Sequence, residues 1–219
     1  MRKERLAFLD ETTLRTINLD DLMPAEVDDE MITETVVQPQ PDSKLSCTSG
    51  FNIHSRLFWA ALIPLSPQHS SNTEMPYSSV LRAAKPSLQL EHCQERLQDL
   101  KYMLDGCPAE LRQWKTGVET EDASISEQRE SYIRKAQFEA MRANIHVTHL
   151  WLQSIIYDQI DTLPVVSQDR EPTELPNAKS FWNDREDICR QLLHVLHNVP
   201  EVHLEPNGHH LVSLSSMFH

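Results

Sequence analysis

Two pairs of histidines stand about one helical turn apart, His146 with His149 and His194 with His197. Imidazoles at i and i+3 share a helix face. They begin a metal site when carboxylates or further imidazoles stand at matching depth. That second half is absent from the local spacing. The chain has no His-Glu-x-x-His and no Glu-x-x-His, the patterns of zinc hydrolases and di-iron bundles. The 11 histidines are therefore read as satisfied or exposed side chains.

The acidic runs invite a magnesium reading. Asp20-Asp21 and Asp28-Asp29-Glu30 resemble the start of a diphosphate-binding helix, where carboxylates one turn apart share the cation. Asp20-Asp21 is followed by Leu22, Met23 and Pro24, and Asp28-Asp29 by Glu30, Met31 and Ile32, so neither run has its acid at the required place. A matching second site would need Asn-Asp-x-x-Ser-x-x-x-Glu. Asn183-Asp184 is followed instead by Asp187 and Gln191. The acids are read as solvated loop or helix-start residues. Cys47, Cys93, Cys107 and Cys189 form no Cys-x-x-Cys pair, so isolated buried thiols are expected. No Gly-x-Ser-x-Gly, phosphate-binding loop or Gly-x-Gly-x-x-Gly occurs, and the chain has only 4 Gly. No catalytic, cofactor-binding or metal residue is assigned, no cofactor is expected, and the chain is read as non-catalytic.

Composition narrows the partners. The 219 residues carry a formal net charge of −13, which repels phosphate backbones, so no direct nucleic-acid contact is expected. Leu57 to Leu65, the longest apolar run, is about half a membrane span. The N-terminus lacks an apolar signal core. A soluble, intracellular chain is expected, with no membrane partner.

The elements that would position these residues are helical. With 13 Pro between helical patterns, the chain reads as all-α, an irregular multi-helix bundle with long Pro-containing loops. Residues 1–48 form an acidic, loop-rich segment and 49–219 a helical domain. Leu14, Ile17, Leu19 and Leu22 suit a short helix or an extended segment. A helix is expected from Gly50 to Leu65, with Phe51, His54, Leu57, Phe58, Ala61 and Leu62 on its apolar face. A polar linker at 66–86 follows.

Leu90, Cys93, Leu97, Leu100 and Leu104 make a narrow seam on a helix stopped by Asp105-Gly106. Pro108 opens a short helix through Trp114. Ser124-Ile125-Ser126-Glu127 is a capping box for the longest helix. That helix carries Phe138, Met141, Ile145, Leu152 and Ile155 on one stripe. It turns apolar on the other side with Val147, Leu150, Trp151 and Ile156, as a buried central helix does. After a loop at 162–178, Phe181, Ile188, Leu192, Val195, Leu196 and Val199 mark a last strong helix, stopped at Pro200. An apolar tail from Leu211 to Phe218 follows Asn207-Gly208.

In order, these segments resemble the regulatory, or middle homology, domain of fungal-specific transcription factors, the family usually led by a two-zinc, six-cysteine cluster. Leu22 to Glu30 (LMPAEVDDE) resembles its acidic L-P-x-x-V-D-D-E loop. Gln38-Pro39-Gln40-Pro41 is similar to its Q-P loop, and Gly50 to Trp59 to the apolar helix after it. Leu97 to Trp114, ending PAELRQW, resembles a short helix with Pro and x-x-L-x-x-W. Phe138 to Ile160, with Ala143 to Thr148, resembles the long helix of the second half. The likeness runs over roughly residues 16–200. No cysteine cluster is present, nor the family's upstream R-x-x-W-W and G-R-P segment, so a fragment lacking the zinc cluster is expected.

The resemblance implies a nuclear transcription-regulatory domain. It would control an attached or partner DNA-binding module through conformational or protein–protein contacts with a parent regulator or the transcription machinery. Any small-molecule effector is unnamed. Two alternatives stand beside it. One is an all-α metal-dependent enzyme using His, Asp and Glu residues. The other is a helical oligomerisation module using the Leu90–Leu104 seam.

Overall fold

A computed structural model of the chain describes residues 18–62, 86–112, 125–163 and 178–216. These residues are mostly helical, residues 23–46 being largely irregular. In chain order they form α1 (Leu19–Leu22), a 3-10 turn (Asp29–Met31), α2 (Cys47–Leu62), α3 (Pro86–Met103) and a second 3-10 turn (Leu104–Gly106). Then come α4 (Ala109–Arg112), α5 (Ile125–Thr162), α6 (Ala178–Asn198), α7 (Glu201–Leu204), a third 3-10 turn (Glu205–Asn207) and α8 (Gly208–Ser216). A single antiparallel bridge, Ile32 to Val37, closes a tight turn in the acidic segment. The all-α architecture is as expected. The linker at 66–85, Trp114, Ser124 of the capping box, most of the 162–178 loop, Leu14 and Ile17 lie outside the described residues, as do the side chains of Phe181 and Leu214.

α5 is the axis of the fold. It has 38 residues, about 57 Å at 1.5 Å per residue, and packs against α2, α3, α4, α6, α7 and α8. Its second half is buried on every side: Ala143, Ile145, Val147, Leu150, Leu152, Ile156 and Tyr157 point in different directions and all lie in the core. This is the central helix that apolar residues on most faces require. Towards its start the described side chains from Arg129 to Ile133 are exposed, including Tyr132 and Ile133.

The α3 seam is where the spacing placed it. Cys93, Leu97 and Leu100 are buried, with Leu90 and Leu104 packed against them. The seam is used within the chain, against α2 and α5. Its buried face is wider than the seam and takes in His92 and Arg96, whose guanidinium donates to the Ala61 carbonyl at the end of α2.

Three local expectations need correction. α2 begins at Cys47 rather than Gly50, because Ser46 Oγ accepts from Thr48 N at 3.1 Å and caps the first turn. Phe51 is 51% exposed, and the α2 face turned inward is Ser49, Asn52, Leu57, Ala60 and Ala61. Leu196 is 45% exposed while Ile188, Leu192, Val195 and Val199 are buried, since one residue step turns the side chain by about 100°. Gly208 opens α8. Gly50 marks a close approach of α2 to α5, where a Cβ would collide with the Met141 side chain.

Candidate functional site

The acidic loop is built into the start of α2. Asp28, with its side chain only 13% exposed, accepts from Arg134 Nη1 of α5 at 2.9 Å, from Gln40 Nε2 at 3.1 Å and from Cys47 N at 3.3 Å. Burial by itself raises a carboxyl pKa. The hydrogen bonds from Arg134, Gln40 and the Cys47 amide outweigh it and hold Asp28 well below the usual carboxylate range. Glu26 takes the next turn of the helix, accepting from Ser49 Oγ at 2.7 Å and Asn52 Nδ2 at 3.1 Å. Two carboxylates thus stand at a helix N-terminus, where the unpaired amides and the helix dipole favour negative charge. The solvated-loop reading therefore fails for Asp28, while the helix-start reading describes its role. Glu30 stays exposed against Lys44 at 3.0 Å, and Asp20 against Arg56 at 2.7 Å.

A second polar cluster runs along α5. Arg142, His146, His149 and Gln153 recur at four- and three-residue spacing and share one face. Arg142 Nε and Nη2 donate to the Glu110 carbonyl at 3.0 and 2.6 Å. His146 Nε2 meets the Arg112 carbonyl at 3.2 Å, and His149 Nε2 the Leu100 carbonyl at 2.7 Å. Glu110 and Arg112 belong to α4 and Leu100 to the last turn of α3. The face thus supplies donors to the carbonyls that helix ends leave unpaired. Burial holds His149 down to about 4, against the raising effect of its bond to Leu100, so it is neutral at pH 7. Each imidazole of this pair is committed to a different helix end.

α6 is fastened to the same axis through Asp184. Tyr157 Oη of α5 donates to Asp184 Oδ2 at 2.7 Å, and Lys101 Nζ of α3 pairs with Oδ1 at 2.7 Å. Burial, then the bond to Asp184 and its charge, push the Tyr157 hydroxyl far above the usual phenol value. The Asp184 weighed as a magnesium ligand is a three-helix clamp. Asp187, its companion in that motif, lies 3.4 Å from Arg190.

Between α4, α5 and α6 lies a cleft of about 490 Å³, lined by Arg112, His146, Leu150, Arg190, Gln191, His194, Val195 and Asn198. Leu150 and Val195 belong to the buried core and form its floor. Asn198 Nδ2 donates to His194 Nδ1 at 3.1 Å, which leaves the His194 proton on Nε2. His146 and His194, one histidine from each sequence pair, thus line this cleft; His194 and His197 are both exposed, but His197 is not part of the lining. No local pattern could have signalled this meeting, because it depends on how α6 lies along α5.

His203 and His210 hold the C-terminal segment, and His54 holds α2. His203 Nε2 meets Glu139 Oε2 at 3.1 Å, and His210 stacks on Trp151 with ring centroids 4.2 Å apart. Asn207 Nδ2 donates to Asn144 Oδ1 at 2.6 Å, and His54 Nε2 meets Thr148 Oγ1 at 2.9 Å. Cys93 and Cys107 are buried and Cys47 and Cys189 half-buried. Burial pushes all four thiols up, away from the reactive thiolate. Among the described residues no group of three His, Cys, Asp or Glu is placed to hold a metal ion, and no helix is long and apolar enough to cross a membrane. No protein-family model, no curated protein and no solved structure matches the chain.

Proposed function

We propose that the chain is a non-catalytic, helical transcription-regulatory module of the kind found in fungal-specific transcription factors. In this reading it acts in the nucleus on an attached or partner DNA-binding module, through conformational change or protein–protein contact. The observation that carries the reading is the bond between Asp28 and Arg134. Asp28 lies within the acidic motif of the resemblance, and Arg134 lies on the helix that carries its long-helix segment. The acidic-loop segment is therefore packed against the helix that carries the long-helix segment. The all-helical fold and the net charge of −13 agree with a regulator that leaves DNA contact to another module. The engagement of His146, His149 and His203 with carbonyl and carboxylate oxygens gives the metal-dependent alternative no support.

The mechanism follows from how the acidic loop is held. Asp28 ties the loop to α5 through Arg134, and Glu26 ties it to α2 through Ser49 and Asn52, so in this reading a partner that competes for both carboxylates biases the loop between a held and a released position.

The test is a reporter assay with the full chain fused to a heterologous DNA-binding domain. The fusion is expected to change reporter output relative to that domain alone, and Asp28→Asn with Arg134→Ala is expected to alter the change. Output equal to the DNA-binding domain alone overturns the reading. Tight, salt-sensitive binding of the unfused chain to random duplex contradicts it from the other side.

A further inference from the structure

We infer that the cleft between α4, α5 and α6 is a binding site for a small organic anion, one carrying a carboxylate or phosphate group on a short apolar body. Its volume, about 490 Å³, lies within the range of small-molecule pockets. The lining is unlike the rest of the chain. Asp and Glu number 33 against 20 Lys and Arg, yet this cleft presents two guanidiniums, two imidazoles and two carboxamides and no carboxylate. A third guanidinium, Arg142, lies on the same α5 face one turn before His146 and adds to the positive potential there.

The donors come from three elements. Arg112 at the end of α4 uses Nη1 on the Asp105 carbonyl at 3.1 Å, which leaves the other edge of its guanidinium for a ligand. Arg190 pairs with Glu186 at 2.7 Å and Asp187 at 3.4 Å on its own helix. All three side chains are exposed, and exposed pairs of this kind hold weakly. A planar oxyanion between two guanidinium forks forms the stronger charge-assisted bonds. His194 offers its Nε2–H, since Asn198 occupies Nδ1. His146, held to the Arg112 carbonyl, fixes the wall that carries Arg112. The buried Leu150 and Val195 supply the apolar floor, so the ligand's charged group sits at the Arg112–Arg190 rim with its carbon body beneath. The inference does not rest on the regulatory reading, and a negative reporter assay leaves it standing.

The test uses the full chain and two probes, inorganic phosphate and butanoate, titrated at constant ionic strength with chloride as the control. Histidine ring resonances are the readout. The expected result is a saturable shift of the His146 and His194 signals with at least one probe, none with chloride, and little movement of His197. Response to phosphate alone marks a phosphate ligand, to butanoate alone a carboxylate, and to both the shared anion chemistry. Arg112→Ala with Arg190→Ala is expected to weaken the midpoint about tenfold or more without moving the thermal melt. Gln191→Glu, which places a carboxylate in the lining, is expected to weaken it likewise. No saturable shift with either probe, equal movement of His197, or an unchanged midpoint in both variants overturns the inference.

Discussion

Arg134 of the long helix donates to Asp28 of the acidic loop at 2.9 Å, across 106 residues of chain. The same guanidinium also donates to the Leu45 carbonyl just before α2. One side chain therefore joins the long helix, the loop and the entry to the next helix. Asp28→Asn and Arg134→Ala are each expected to destabilise the fold. A double-mutant cycle in urea is expected to show a coupling of about 1–3 kcal/mol, because both partners are part-buried and the bond between them is charge-assisted. The Asp28 pKa is lower in the folded chain than the ~3.9 of a free aspartate, so its contribution is complete above that value and falls away as the pH drops below it. Acid unfolding of Asp28→Asn is expected to lack that part of the slope, measured from urea midpoints between pH 5 and 2.

His149 predicts a second pH dependence at a higher range. The folded-state value of about 4 lies below the 6.5 of a free imidazole, so the unfolded chain binds the proton first. Stability is full above pH 6.5 and is lost as the pH falls toward 4. The whole window is worth about 3 kcal/mol for this group. His149→Gln keeps a donor for the Leu100 carbonyl and removes the titration. Its urea midpoint is expected to fall less steeply between pH 7 and 4.5 than that of the wild type. A residual slope remains, because burial also lowers His54, His146 and His210.

Neighbouring leucines on α6 test the packing. Leu192 is 8% exposed and Leu193 55%. Leu192→Ala is expected to cost about 2–5 kcal/mol and Leu193→Ala less than about 0.5 kcal/mol. Thermal melts of the two variants side by side check the orientation of the whole helix.

Gly50 tests the approach of α2 to α5. A Cβ there strikes Met141, so Gly50→Ala is expected to cost roughly 1–3 kcal/mol through overpacking, although alanine is the better helix former. Met141→Ala in the same chain opens the space and is expected to recover part of the loss. A Gly50→Ala variant as stable as the wild type shows that the helices are not in this close contact.

Periodicity made much of the fold legible. The α3 seam, the stripe on α5 and the buried face of α6 all follow from apolar spacing, and the two-sided apolar stretch after Ile145 marked the central helix. The errors have one cause. Phe51 and Leu196 fit the spacing as well as their neighbours do, but a helix face is only as wide as the partner it meets. Ser46 was a cap in plain view. Gly50 lies inside the helix and serves its close packing.

The candidate sites were less legible. Sequence alone determined that the chain is helical, where its apolar faces run, and that its acids miss the spacing of a magnesium helix, because each of these depends on residues a few positions apart. Only the tertiary structure decided what the polar residues do. Asp28 met Arg134, Asp184 met Tyr157 and Lys101, and His149 met the end of α3, because packing buried those groups and a buried charge or amide must find a partner. Packing also divided the two histidine pairs, bringing His146 and His194 to one cleft and leaving His149 and His197 outside its lining. The angle at which one helix crosses another is set by side-chain packing along both, and no spacing within either helix encodes it.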